Sequence, residues 1–295
     1  MITTRRRFLS ITAAALAAPS AAMAAQTAHW QGRAMGAPAR LAIAGLSPDA
    51  ARPVFAAIEA ELERLEQIFS LFRPDSSLSW LNRSGRLVAP PPELLDVLLL
   101  ADRLHHASGG VFDPTVLPLL EVGTFGHARA KVFGLIGWDK VYIDPREICF
   151  AKTGMALTLN GIAQGYINDK IADLMRARGL TDVMLDIGEL QGIGQCPLHR
   201  PWQARIFATD GAYEDHIVLR NRAVSTTRPF GGLRPGGGDH VVCPDGHTPF
   251  HSIVTVSAPR AAVADGLSTA LALIPREETL AVVAQFPGAR IEMIR

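Results

Sequence analysis

Residues 156–194, ALTLNGIAQGYINDKIADLMRARGLTDVMLDIGELQGIG, constrain the fold more than any other stretch. They read as turn, helix, strand and turn. Ile167, Ile171, Leu174 and Met175 recur at helical spacing and predict one buried face. Arg178-Gly179 closes that helix, with a cation in the last turn and a glycine able to turn left-handed. Val183, Leu185 and Ile187 then alternate with Met184 and Asp186, the pattern of a half-buried strand. Gly161 and Gly165 stand at the helix start. Glycine inside a helix costs about 1 kcal/mol relative to alanine, so the pair predicts close approach to the backbone. A helix start with free N–H groups and a positive dipole end also suits a phosphate.

The rest of the chain supplies elements of both kinds. A short strand is expected over Ala39 to Ala44. Ser47-Pro48-Asp49 starts a helix whose buried face is Val54, Ile58, Leu62, Leu65 and Phe69. Glu59, Glu61, Glu63 and Glu66 read as its solvated flank. Phe69 to Leu78 breaks the helix in a turn. A second helix follows Pro90-Pro91-Pro92, with Leu94, Val97, Leu98, Ala101 and Leu104 inward. His105 and His106 sit on its last turn, where a cation favours the dipole. A loop is expected from Val111 to Gly137. Strands are expected at Lys140 to Asp144, Glu147 to Ala151, Gln203 to Thr209, His216 to Leu219, Arg222 to Thr226 and Ser252 to Ser257. An apolar helix over Ala261 to Ile274, a last helix over Arg276 to Phe286 and a strand over Ala289 to Ile294 close the chain. This mixture predicts an α+β (mixed α/β) fold.

The chain of 295 residues suffices for one large domain or two small ones. Its net charge of +1 gives no global argument for nucleic acid or a membrane surface. Residues 1–25 read as a targeting segment. Thr4-Arg5-Arg6-Arg7-Phe8-Leu9 precedes an apolar run and small residues through Ala24 and Ala25, a twin-arginine signature. An ordinary Sec signal or a retained anchor is the competing reading. The twin-arginine route carries folded proteins, so residues 26–295 would fold inside the cell and work outside it. Cys149, Cys196 and Cys243 are widely separated and lack zinc-type spacing.

Asp265 is the most informative polar residue, because it lies inside an apolar helix. Thr269, one turn on, shares its face. A carboxylate and a hydroxyl are hard oxygen ligands that suit Mg²⁺ with phosphate oxygens. A buried aspartate satisfied by its neighbours fits the spacing equally well. His240, in a loop before Pro244-Asp245-Gly246, is either a general base or a solvated histidine.

Six segments together resemble one family. Met35-Gly36, FSLFRPDSSLSWLN, SGGVFDPTVLPLL, LNGIAQGYIND, DHVVCPDGHTP and APRAAVADGLSTAL occur in the order of the ApbE family, the FAD:protein FMN transferases. The likeness spans nearly all of residues 26–295. It implies a single domain with a mixed or antiparallel sheet and flanking helices. It implies FAD as FMN donor, Mg²⁺ as metal, and a Ser or Thr hydroxyl of an acceptor flavoprotein attacking the FMN-side phosphorus. By the same resemblance Asp265 and Thr269 match metal-binding side chains, and Asp265 is also expected to be needed for catalysis. Ser268 and Gly161 match nearby metal-site positions. Met35, Phe72, Val111, Phe112 and Asp113 match flavin-nucleotide contacts. His240 matches the base for the acceptor hydroxyl, and Val241 its FAD-contacting neighbour. The implied location is periplasmic.

The chain departs from the family at informative places. A motif like D-L-G-x-I-A-K-G reads here Thr158-Leu159-Asn160-Gly161-Ile162-Ala163-Gln164-Gly165. Thr158 and Gln164, at cofactor-binding positions, are neutral where the family carries an acid and a base. If the family's acid and base form an ion pair, losing both keeps local charge unchanged, whereas losing one would leave an unpaired charge; the alternative is weaker electrostatic support for FAD and a slower transfer. Gly188-Glu189 replaces a glycine pair, and Ser225-Thr226-Thr227 a Thr-Ser-Gly-like segment. With the export signal, these departures resemble the NosX branch, associated with nitrous oxide reductase maturation. The acceptor implied there is a NosR-like membrane flavoprotein, reached after export by the Tat machinery.

Overall fold

A computed structural model describes residues 26–122, 131–207, 213–230 and 241–295. The expected targeting segment, the glycine run at 236–238 and His240 lie outside the described residues. The chain opens with a hairpin, β1 (Thr27–Ala34) and β2 (Ala37–Ala44), turning at Met35 and Gly36. Both turn residues have positive φ, at 49° and 73°, as a two-residue hairpin turn of the primed type requires. Helix α1 (Pro48–Phe69) follows, capped by Ser47, whose hydroxyl accepts from the Ala50 N–H. The predicted face is buried from Val54 through Phe69.

Helix α2 (Ser77–Ser84) starts at the end of the turn read over Phe69 to Leu78, and strand β3 (Arg86–Val88) follows it, both in residues for which no element was expected. Ser76 caps α2 by accepting from the Ser79 N–H, the serine N-cap pattern that marks a helix start. Helix α3 (Pro92–Ala107) matches expectation. The expected loop from Val111 to Gly137 contains a short helix, α4 (Leu117–Val122). Strands β4 (Val141–Asp144) and β5 (Glu147–Phe150) form a hairpin, and β3 extends it to a three-stranded sheet. Helix α5 (Ala163–Ala177) and strand β6 (Val183–Asp186) realise the organising stretch, but its closing turn is corrected, because Leu190–Ile193 form a further strand, β7. Then come β8 (Trp202–Phe207), β9 (Tyr213–Leu219), β10 (Arg222–Thr227) and β11 (Val254–Ala258). Helix α6 (Ala261–Leu271), a short α7 (Thr279–Val283) and β12 (Arg290–Ile294) complete the fold. The last two helices are thus shorter than the apolar runs that predicted them.

The main sheet has the order β1-β2-β6-β7-β10-β11-β12, antiparallel at every pairing. Helices α1, α5 and α6 cover one face. The β8–β9 hairpin covers the other, where Met184, Leu190, Trp202, Ala204, Ile217 and Val224 form a second core. The half-buried reading of β6 is therefore corrected. Val183, Leu185 and Ile187 face the helices, and Met184 faces the hairpin, so both faces are dry. Alternation of side chains still holds, but alternation of polarity fails where a second layer closes over the sheet. The fold is α+β with antiparallel sheets. Among the described residues no helix is long and apolar enough to cross a membrane.

Candidate active site

The site is built where α5, α6 and β10 meet. Helix α6 starts on a cap donated from α5. The Asp169 carboxylate accepts from the Ala261 and Ala262 N–H groups at 2.8 and 3.0 Å. Arg260 Nε stands 3.3 Å from the same carboxylate. Burial pushes the Asp169 pKa up, and Arg260 with the two N–H donors opposes that shift. The cap sets the rotation of α6, and with it the direction of Asp265, Ser268 and Thr269.

Gly165 lets α5 come close. A Cβ at this position would lie 2.4 Å from the Ala261 carbonyl oxygen. The expected close approach to the backbone is therefore a neighbouring helix. The Gly165 N–H donates to Asp265 Oδ2 at 3.1 Å. The helix start is thus buried from Ala163 to Tyr166, and a carboxylate of this chain takes the Gly165 N–H that had suggested a phosphate.

A group of oxygens surrounds this contact. Ser268 Oγ donates to the Asp265 carbonyl at 3.0 Å. It also lies 2.7 Å from Thr227 Oγ1 and 3.1 Å from Ser225 Oγ. Thr227 Oγ1 lies 3.4 Å from Thr269 Oγ1. A Cβ on Gly161 would lie 2.9 Å from Thr269 Oγ1, so the Gly161 backbone runs directly against it. Asp265, Ser268, Ser225 and Thr227 are buried, whereas Gly161 and Thr269 are half-buried. The cluster therefore reaches solvent at Gly161 and Thr269. All four expected metal-site residues are brought together. Ser225 and Thr227 join them from β10. Their sequence signal was an alternating strand of hydroxyls, which spacing alone does not aim at α6.

Two contacts hold Gly161 in place. Asn82 of α2 pairs with the Leu157 backbone, donating to its carbonyl at 2.9 Å and accepting from its N–H at 2.8 Å. The Thr158 N–H donates to the Pro114 carbonyl at 2.8 Å. Gln164 is buried, and its amide lies 3.1 Å from where a Cβ of Gly188 would sit.

The expected nucleotide contacts fall into two further groups. Val111 packs against the buried Val241, Cys243 and Leu273. Phe112 belongs to the main core, and the Asp113 carboxylate caps the following turn, accepting from the Thr115 N–H and hydroxyl at 2.8 and 2.6 Å. Met35 and Phe72 share a scaffold. Glu66 accepts from the Met35 N–H at 2.6 Å and pairs with Arg73 at 3.1 Å. Phe72 itself is 83% exposed. The solvated reading of the α1 glutamates is corrected for Glu66, which is half-buried, whereas Glu59 stays exposed. Glu66 ties the hairpin turn to the Phe72 loop, and Glu59 accepts from the Trp30 indole at 3.0 Å.

The donor set of Gly161, Asp265, Ser268, Thr269 and Thr227 is wholly oxygen, one of them ionisable. Such a set fits a hard cation and disfavours a soft one.

The description "ApbE family" matches residues 35–293. A protein of Haemophilus influenzae named FAD:protein FMN transferase is 27% identical over 254 residues, covering 76% of this chain and 73% of that protein. The solved structure titled Pseudomonas stutzeri flavinyl transferase ApbE, apo form, is 27% identical with a TM-score of 0.76, covering 88% of each chain. The flavin transferase ApbE from Vibrio cholerae shares the fold, with a TM-score of 0.80 at 24% identity over 90% of this chain and 93% of that one.

Proposed function

The chain belongs to the ApbE family, and from that premise we propose that it is a Mg²⁺-dependent FAD:protein FMN transferase. The enzyme class is that of its named relatives. The observation that carries the reading is the oxygen cluster at the junction of α5, α6 and β10. Asp265 and Thr269 would hold the cation, with Gly161 and Ser268 beside them. Bound there, Mg²⁺ supplies positive charge to the phosphoryl oxygens of FAD.

The chain's own residues do the rest. The Ser225 and Thr227 hydroxyls hold the Ser268 side chain, and the Gly165 N–H holds one Asp265 carboxylate oxygen. Phe72 and Met35 offer apolar surface to the flavin end of the substrate, and Val111 with Val241 lines the nucleotide side. The acceptor hydroxyl oxygen attacks the FMN-side phosphorus. The bond from that phosphorus to the bridging oxygen breaks, AMP leaves, and His240 takes the hydroxyl proton. Such transfer is mostly positioning and charge neutralisation. The acceptor is a flavoprotein, and the departures at Thr158, Gln164, Glu189 and Thr227 favour a NosR-like membrane protein of nitrous oxide reductase maturation. The twin-arginine pattern of residues 4–9 supports periplasmic work after Tat export.

Incubation with FAD, Mg²⁺ and an acceptor domain, followed by acceptor mass and AMP release, tests this. An FMN-sized mass gain with AMP, lost with EDTA, is expected. AMP with free FMN and an unmodified acceptor would instead mark an FAD pyrophosphatase. Tight FAD binding with neither product would mark a maturation factor without transferase activity.

A further inference from the structure

The turn after Val241 holds a second group of donors that the transfer chemistry does not use. Cys243 Sγ, an Asp245 carboxylate oxygen and a His247 ring nitrogen all lie within 4.8 Å of one another. Cys243 Sγ is 2.9 Å from His247 Nε2, and that nitrogen is 3.8 Å from Asp245 Oδ1. The Gly246 N–H donates to the Cys243 carbonyl at 2.9 Å, and Gly246 has φ 86°, so the three donors are folded onto one side of a single tight turn.

The histidine is already oriented as a ligand. Its Nδ1 lies 2.9 Å from the Thr248 carbonyl oxygen, which can only accept. Nδ1 therefore carries a proton, and Nε2 faces Sγ and Asp245. Metal-binding histidines are held in this way by a backbone carbonyl behind the ring. The Phe250 ring packs edge-on against the imidazole at 5.1 Å. Burial falls from Cys243, buried, through His247, half-buried, to Asp245, exposed, so one side opens to solvent for entry and for a fourth ligand.

We propose that Cys243, Asp245 and His247 form a second metal site, which takes Zn²⁺ through one sulfur, one oxygen and one nitrogen. Zinc holds such donors at about 2.0–2.3 Å. Thiolate and imidazole select against Mg²⁺, so this site and the all-oxygen site sort two different ions. Burial pushes the Cys243 thiol up to about 12, so without metal it keeps its proton. Zn²⁺ binding forms the S–Zn bond and releases that proton to solvent. The ion would staple the turn that presents Val241 to Val111.

Co²⁺ is the probe, because a cobalt–thiolate bond gives a near-ultraviolet charge-transfer band that needs neither FAD nor turnover. The chelator-stripped chain should develop this band at one equivalent of Co²⁺. Zn²⁺ should abolish it, and excess Mg²⁺ should not. Cys243→Ser should remove the band, and His247→Ala, on the surface of the turn, should weaken Co²⁺ binding roughly tenfold or more. Asp265→Ala and a Cys149→Ser/Cys196→Ser double variant should keep it. Circular dichroism melts check that each variant folds. Absence of the band in the folded wild-type chain, or its survival in Cys243→Ser, would overturn the proposal.

Discussion

The oxygen cluster and the Met35–Phe72 rim serve the same proposed substrate but are built in opposite ways. The cluster sits on regular elements, with α5 and α6 locked by Gly165 and by the Asp169 cap, and β10 supplying hydroxyls in register. The rim sits on a hairpin turn and a loop, and the Glu66 carboxylate ties them together. The cluster is fixed by packing, where a methyl group is felt at once. The rim is fixed by charge at the surface, where screening and side-chain freedom keep each contact weak. Under the proposed function, chemistry that needs an aimed carboxylate would have the rigid half, and recognition of a flat ring the adaptable half.

That contrast can be broken experimentally. The largest effect is expected for Asp265→Ala, which should lower FMN transfer roughly a hundredfold or more while FAD binding changes less. Single-turnover transfer compared with FAD titration checks it; equal losses in both would erase the division of labour. Gly165→Ala should come next. Alanine would normally gain about 1 kcal/mol in a helix, but a Cβ 2.4 Å from the Ala261 oxygen should overpack the junction at a cost of about 1–3 kcal/mol, leaving a net loss of up to about 2 kcal/mol. Urea unfolding measures it, and a stabilised variant would show that the junction gives.

On the rim, Glu66→Gln should raise the KM for FAD by roughly fivefold with kcat little changed, because it loosens binding surface and leaves the reacting atoms alone. Phe72→Ala should raise the same KM by a similar or smaller factor and leave the melting temperature unchanged, since the ring is 83% exposed. The smallest effect concerns pH. Burial raises the Asp173 pKa, but the Arg260 fork at 2.9 Å and Arg176 outweigh it and hold the carboxyl below its usual value. Its stabilisation is therefore present above the ordinary carboxylate range, near pH 4, and lost as pH falls through the lower folded value. The pair is nearly half exposed, so wild type should exceed Asp173→Asn by less than about 1 kcal/mol at pH 7, and the gap should close in acid below the ordinary carboxylate range. A gap that widens in acid would reverse the assignment.

Legibility in the sequence followed the same line. Helices α1, α3, α5 and α6 were readable because their apolar faces repeat at 3.6 residues, and Asp265 with Thr269 stood out against an apolar helix. Helix α2 was missed, although Ser76 is a good cap, because a run of serines looks like a turn until Leu78 and Leu81 find a core. The buried state of Met184 depended on the β8–β9 hairpin covering it, a long-range fact invisible in the alternation of β6 itself. Asp169 and Glu66 look like ordinary surface carboxylates in the sequence, since nothing local announces that one caps a helix 92 residues away and the other catches a hairpin turn. The rim residues were named only through family resemblance, as loops carry no period.

The bond from Gly165 to Asp265 spans 100 residues of chain. Closing a loop of that size costs entropy before any contact repays it, so the two halves of the cluster do not meet in a partly folded chain. A ligand that needs both halves binds the native state and ignores the unfolded ensemble. By mass action it must then raise the melting temperature in proportion to the logarithm of its concentration. For the cation proposed at this junction, occupancy and completion of folding would be two readings of one equilibrium.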